Sequence, residues 1–241
     1  MVESKLDYIE NYSGYTILRS TITPDNVNRI YDSYLLAKQY HFNHFFCGLD
    51  FTDPRWNEEH FKILEKQLFD IYFEQYDDIT NDRYVIDFPL IESGLKDIIV
   101  KETNNLYNIN HCGLGFPAIG ITVDGNIVGC QEHSTFLKKD NFFIGDIWNG
   151  IDEQKHMTLL NQYQQDLEKS ITEECTNCWH KPTCKKDNCP SLSYHFFQTF
   201  GKFPPAYCRL HETVAQLSLL FIKLAELEDN QKVINYFRKE K

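Results

Sequence analysis

The reading of this chain turns on two stretches, His111-Cys-Gly-Leu-Gly-Phe-Pro-Ala-Ile-Gly-Ile-Thr-Val-Asp-Gly-Asn-Ile-Val-Gly-Cys130 and Cys175-Thr-Asn-Cys-Trp-His-Lys-Pro-Thr-Cys-Lys-Lys-Asp-Asn-Cys189. They hold Cys112, Cys130, Cys175, Cys178, Cys184 and Cys189, and Cys208 follows after 18 intervening residues. Cys47 stands apart. Seven thiols gathered in this way point to a role beyond packing.

Disulfides are the first alternative. Eight cysteines in 241 residues is about 3 %, below the density of a disulfide scaffold. The start, MVESKLDYIENY, is acidic and polar and carries no secretory signal. A reducing, cytoplasmic compartment is therefore expected, where C-x2-C spacing binds metal or does redox work more often than it forms bridges. The residues alone leave the metal open. Four thiolates suit a tetrahedral zinc ion, and four also hold a [4Fe-4S] cube.

The pattern C-x12-G-x4-C, then C-x2-C-x5-C-x4-C, then a last cysteine resembles the SPASM domain. That domain is the C-terminal part of many radical S-adenosylmethionine enzymes that modify peptides or proteins. The family quad is C-x2-C-x5-C-x3-C, so one extra residue lies between Cys184 and Cys189. Phe143-Ile-Gly-Asp-Ile-Trp148 also resembles a phrase carried there by the family. The resemblance implies two auxiliary [4Fe-4S] clusters. Cys175, Cys178, Cys184 and Cys208 would hold one; Cys112, Cys130 and Cys189 would hold the other, with one iron open or closed by His111, a carboxylate, water, substrate or Cys47.

Upstream, Tyr15 to Ile22 reads as a strand, and Thr23-Pro24 as the start of a helix to about Lys38. Val27, Ile30, Tyr31, Tyr34 and Leu35 supply its apolar face. Phe42 to Leu49 reads as a second strand and Asn57 to Tyr76 as a second helix, with Phe61, Leu64, Leu68, Ile71, Tyr72 and Gln75 or Tyr76 on one side. Two such units predict parallel α/β structure that cannot close into a barrel. By resemblance, segment 12–77 is the last part of an incomplete radical-SAM-type partial TIM barrel. The C-x3-C-x2-C loop that binds the catalytic cluster occurs nowhere in the chain. The chain thus looks like a C-terminal portion of such an enzyme, inactive alone, with S-adenosylmethionine bound only in company with the missing half. That portion would come from a truncated gene, a split gene or a remnant.

The expected organisation is a barrel portion over 1–80, a bridge over 81–110, a cysteine-rich iron-sulfur domain over 111–229 that includes a C-terminal helix, and a frayed or partner-facing tail from Asn230. A short helix from Ser93 to about Thr103 is expected in the bridge. Asp124-Gly125 predicts a hairpin turn that brings Cys112 and Cys130 together around metal. Helices are expected over 152–169, with Met157, Leu160, Tyr163 and Leu167 apolar, and from Pro205, with Leu210, Val214, Leu217, Phe221 and Leu224. The latter is expected to pack back on the barrel portion.

Asp146 is a weak catalytic candidate, as a proton acceptor. His111 and His133 are candidate ligands or hydrogen-bonding neighbours of a cluster, or ordinary loop histidines. Trp179 would shield a cluster, with His180 and Lys181 tuning it. Arg19 shares a strand face with Ile17 and Thr21, aimed either into the barrel at a carboxylate or at solvent. Cys47 is either a ligand-facing group or a buried thiol. Lys and Arg number 24 against 35 Asp and Glu, a net charge of -11. That balance argues against a nucleic-acid or anionic-membrane partner and is compatible with a peptide or protein partner, or with a separate radical SAM core chain. Two functions are carried forward: the auxiliary-cluster part of a peptide-modifying enzyme, and a non-catalytic iron-sulfur or zinc module that recognises a peptide or scaffolds a partner.

Overall fold

A computed structural model describes residues 12, 14–90, 95, 119–136, 142–169, 175, 177–180, 184, 190–200, 202 and 204–238. The chain divides into two compact units, Met1–Thr103 with Ala206–Lys241, and Asn104–Pro205. Cys112, Cys189, His111, Lys181 and most of the expected helix from Ser93 lie outside the described residues.

In the first unit, strands β1 (Ile17–Ile22) and β2 (His44–Leu49) pair in parallel, joined through a single 3-10 turn (Val27–Arg29) and helix α1 (Ile30–Gln39). Helix α2 (Glu58–Thr80) follows β2. The Asn57 side chain caps it, accepting from the Glu59 and His60 backbone N–H groups at 3.0 and 3.2 Å. On the far side of β2, Phe45 N donates to Asp87 O at 2.9 Å and Asp87 N to Asn43 O at 3.0 Å. Two paired strands and this one bridge are all of the sheet among the described residues, and no barrel closes.

Pro24 does not open α1. Asn26 turns its side chain back, accepting from Thr23 N at 2.8 Å and donating to Thr21 O at 3.1 Å, so the first turn is spent on closing the strand end. The α-helix begins only at Ile30.

Helix α2 buries Phe61, Leu64, Leu68, Ile71, Tyr72, Gln75 and Tyr76, the expected face. It also continues a turn beyond Tyr76, through buried Asp78 and Ile79. Asp78 is fully buried because two cations from other segments reach it, Lys38 Nζ at 2.6 Å and Arg83 Nε at 2.7 Å. Burial alone would lower the Lys38 pKa, yet hydrogen bonds to Asp78 and Glu74 outweigh it and hold the ammonium above its usual range.

The C-terminal helices complete this core. Helix α6 (Pro205–Leu227) contributes Leu210, Val214, Leu217 and Phe221. Tyr72 shares a 2.8 Å hydrogen bond with Ser218, and its ring meets Phe221 edge-on with centroids 4.8 Å apart. The expected frayed tail is instead helix α7 (Gln231–Arg238), which buries Val233 and Phe237 in the same core. Each such side chain contributes about 1.5–3 kcal/mol when fully buried. No described helix is long and apolar enough to cross a membrane.

The second unit is a four-stranded antiparallel meander, β3 (Gly120–Ile121), β4 (Asn126–Val128), β5 (Phe143–Asp146) and β6 (Gly150–Ile151). Helices α3 (Gln131–Phe136), α4 (Glu153–Lys169) and α5 (Pro190–Phe197) accompany it. Its core is Ile127, Phe142, Ile144, Leu159, Tyr163, Leu167 and Phe200. Helix α4 is rotated from the expected face: Leu159 is buried, Met157 is exposed, and buried Asp166 accepts from Phe200 N at 3.1 Å. Helix α5 has no counterpart in the sequence reading.

Candidate functional site

The β1–β2 register sorts side chains onto two faces. Leu18 opposite Phe45, Ser20 opposite Cys47 and Ile22 opposite Leu49 form the face that packs on the helices. Phe45 is wholly buried and Cys47 nearly so, and burial pushes the Cys47 thiol up to about 12. That is a packing thiol, not a reactive one.

The other face carries Ile17 opposite His44, Arg19 opposite Phe46 and Thr21 opposite Gly48. Here Ile17, Arg19, Thr21 and Phe46 are exposed. Arg19 Cζ lies 5.2 Å from the Phe46 ring centroid, within cation–π range. A side chain at Gly48 would start 3.3 Å from the Phe46 ring, so glycine leaves that ring room. At the lower end of the face, His44 Nδ1 lies 3.2 Å from Tyr15 Oη and 3.8 Å from Asp87 Oδ2.

Parallel α/β folds place ligand-binding groups at the carboxyl ends of their strands. Arg55 occupies that rim. It donates to Asp25 at 2.9 and 2.7 Å and to Asp53 at 3.0 Å, tying the loop after β1 to the loop after β2. Those bonds hold the Asp53 carboxyl below its usual range and the Arg55 guanidinium above its own. Arg29, Arg83 and Arg209 are likewise engaged, by Asp32, by Asp77 and Asp78, and by Glu212. Arg19 differs: none of the described carboxylates forms an ion pair with it, and its guanidinium lies over the Phe46 ring.

The cysteine reading needs correction. Among the described residues, no group of three or more His, Cys, Asp or Glu side chains is placed to hold a metal ion. Cys130 ends the β3–β4 hairpin and packs, half-buried, on the second unit's core. Cys175, Cys178 and Cys184 are half-buried in that unit's range, whereas exposed Cys208 belongs to helix α6 in the first. Among the described residues the cysteines do not come together as the resemblance implies, and neither [4Fe-4S] clusters nor a zinc site fits the described side chains. The assignments as an iron-sulfur, metal-binding protein and as the auxiliary-cluster part of a radical SAM enzyme fall with them, as does the metal-binding alternative.

Other candidates have local roles. Asp146 accepts from the backbone N–H groups of Trp148 and Asn149 at 2.9 and 2.8 Å and from the Asn149 side chain at 3.0 Å. The Asn149 side chain leads the interactions that hold its carboxyl below the usual range, so it stays ionised and shapes the turn. Gly125 has φ +80°, closing a three-residue loop in which Thr122 N donates to Asn126 O at 2.9 Å. It also lies beneath Trp148, whose ring would be 2.7 Å from an added Cβ. Its freedom thus serves the turn and the Trp148 contact. His133 is fully buried with neither ring nitrogen bonded, set against Phe142 at 4.5 Å and Phe200 at 6.4 Å between ring centroids. Trp179 is half exposed and meets His180 edge-on at 5.3 Å.

This arrangement defines a mixed α/β fold with two small sheets and no closed barrel among the described residues. No protein-family profile matches the chain, and no curated protein does. Solved structures of anSMEcpe do match in fold. Native anSMEcpe with bound AdoMet aligns with TM-score 0.64 at 18% identity over 93% of this chain and 60% of that one. The form with bound AdoMet and Kp18Cys peptide aligns with TM-score 0.62 at 17% identity, over 93% and 61%. The form with AdoMet and Cp18Cys peptide gives 0.62 and 18%, over 93% and 62%. This chain therefore spans about three-fifths of the length of those structures.

Proposed function

We propose that the chain is a peptide-binding element, holding an extended peptide segment against the open face of β1 and β2. The observation that carries this reading is Arg19 stacked on exposed Phe46 with its hydrogen-bonding capacity unspent. An apolar, aromatic surface with one oriented polar group is what a peptide side chain needs for burial and for register. The fold match to structures described with bound peptides supports the same class of ligand. The clamp of Arg55 on Asp25 and Asp53 fixes the rim beside this face, so little ordering remains to be done on binding.

The test is fluorescence anisotropy of the full chain against an array of 15-residue peptides of acidic, neutral and basic composition. Saturable binding of a subset is the expected result. Absence of saturation for every peptide at millimolar protein overturns the reading.

A further inference from the structure

We infer that Arg19 is a recognition point for a carboxylate of the bound peptide, either an Asp or Glu side chain or the C-terminal carboxylate. The inference rests on the peptide-binding reading and adds the chemistry of the ligand. The chain holds 35 acidic and 24 basic residues, yet none of the described carboxylates forms an ion pair with Arg19. Of the six residues on the open face, Arg19 is the one Lys or Arg, and the His44 ring is turned to Tyr15 and Asp87.

The stacking on Phe46 explains why an unpaired arginine is useful there. With Cζ 5.2 Å from the ring centroid, the guanidinium is restrained in position, and its N–H groups keep their hydrogen-bonding capacity. A restrained fork loses less side-chain freedom when it meets a carboxylate, and a two-bond contact sets register as well as affinity. Gly48 keeps the neighbouring floor clear, because any side chain there would press on Phe46. A phosphate fits the site less well. Phosphate sites gather several cations or a helix N-terminus, whereas this face offers one guanidinium.

The experiment uses one binding peptide from the array in four forms: with Glu or Gln at its acidic position, and with a free or amidated C-terminus. Isothermal titration with the full chain should show that removing one of the two carboxylates weakens binding about tenfold or more, the size of a charge-assisted hydrogen-bonding contact. Which of the two it is identifies the source. Arg19→Gln should remove that difference, so that the peptide forms with and without the carboxylate bind alike. Arg19→Lys, which keeps the charge and loses the fork, should restore only part of it. Circular dichroism of both variants should match the parent, because Arg19 is exposed. If the peptide binds equally in all four forms, or if Arg19→Gln weakens every form alike, the carboxylate inference fails while peptide binding stands. Failure of every peptide to bind removes both.

Discussion

Lowering the pH should undermine the second unit through one side chain. His133 is fully buried in a box of Phe142 and Phe200, neither ring nitrogen has a partner, and burial lowers its pKa to about 4. In the unfolded chain an imidazole titrates near 6.5. Between those values the unfolded chain takes up a proton that the folded chain refuses. Unfolding is thus favoured as the pH falls, and stability is intact above about 6.5. The interval is about 2.5 pH units at 1.36 kcal/mol each, so the loss reaches roughly 3 kcal/mol at pH 4 and is about half complete near pH 5. Carboxylates also titrate in this range, so the comparison is with His133→Leu, which cannot take up the proton and leaves no buried nitrogen unbonded. Urea unfolding monitored by circular dichroism at pH 7.5, 6.5, 5.5 and 4.5 should show the variant gaining on the parent by a further 2 kcal/mol or so at the lowest pH. A constant gap across the series would refute the reasoning, because it would mean that the imidazole is protonated equally easily in both states.

Asp78→Asn should cost about 3 kcal/mol, because Lys38 and Arg83 lose a buried carboxylate. Asp77→Asn, at the exposed end of the same network, should cost under about 1 kcal/mol; equal losses in thermal melts would show that burial does not matter there. Gly125→Ala should destabilise by about 1–3 kcal/mol, since its φ of +80° is strained for alanine and the new methyl meets Trp148. Adding Trp148→Ala should recover only part of the loss, and full recovery would leave the backbone term without support. Cys47, with its thiol pushed up to about 12 by burial, should resist iodoacetamide at pH 8 until denaturant is added, whereas exposed Cys208 reacts in the folded chain. Mass mapping that finds both labelled at similar rates would contradict the packing around Cys47.

The first unit was legible where one element carries its own signal. Asn57 caps α2, and the 3.6-residue spacing from Phe61 to Tyr76 gives the buried face residue by residue. The same spacing continues to Ile79, but Asp77, Asp78 and Asn81 read as a polar boundary. What buries Asp78 is Lys38 and Arg83, distant or non-helical neighbours whose approach no local pattern encodes. Val233 and Phe237, four residues apart, were masked by polar neighbours in a short segment whose helix depends on the α2 and α6 surface. Alternation placed Arg19 on a face with Ile17 and Thr21, yet Phe46 as its partner follows from the parallel register, which the strands do not display singly. Cysteine spacing misled for a related reason. Spacing measures distance along the chain, while ligation requires side chains to converge, and a thiol such as Cys130 also serves as a small apolar residue.

The first unit's core is built from both ends of the sequence, with residues 104–205 lying between its two parts. A ribosome making about 5–20 residues per second needs roughly 5–20 s to cross that interval. Throughout it, Leu68, Tyr72 and Tyr76 of the nascent chain wait for Val214 and Phe221 to be synthesised. The intervening unit has a core of its own and can collapse first. Synthesis therefore leaves an apolar helix uncovered for longer than most folding steps take, which makes the early nascent chain a natural client for chaperones.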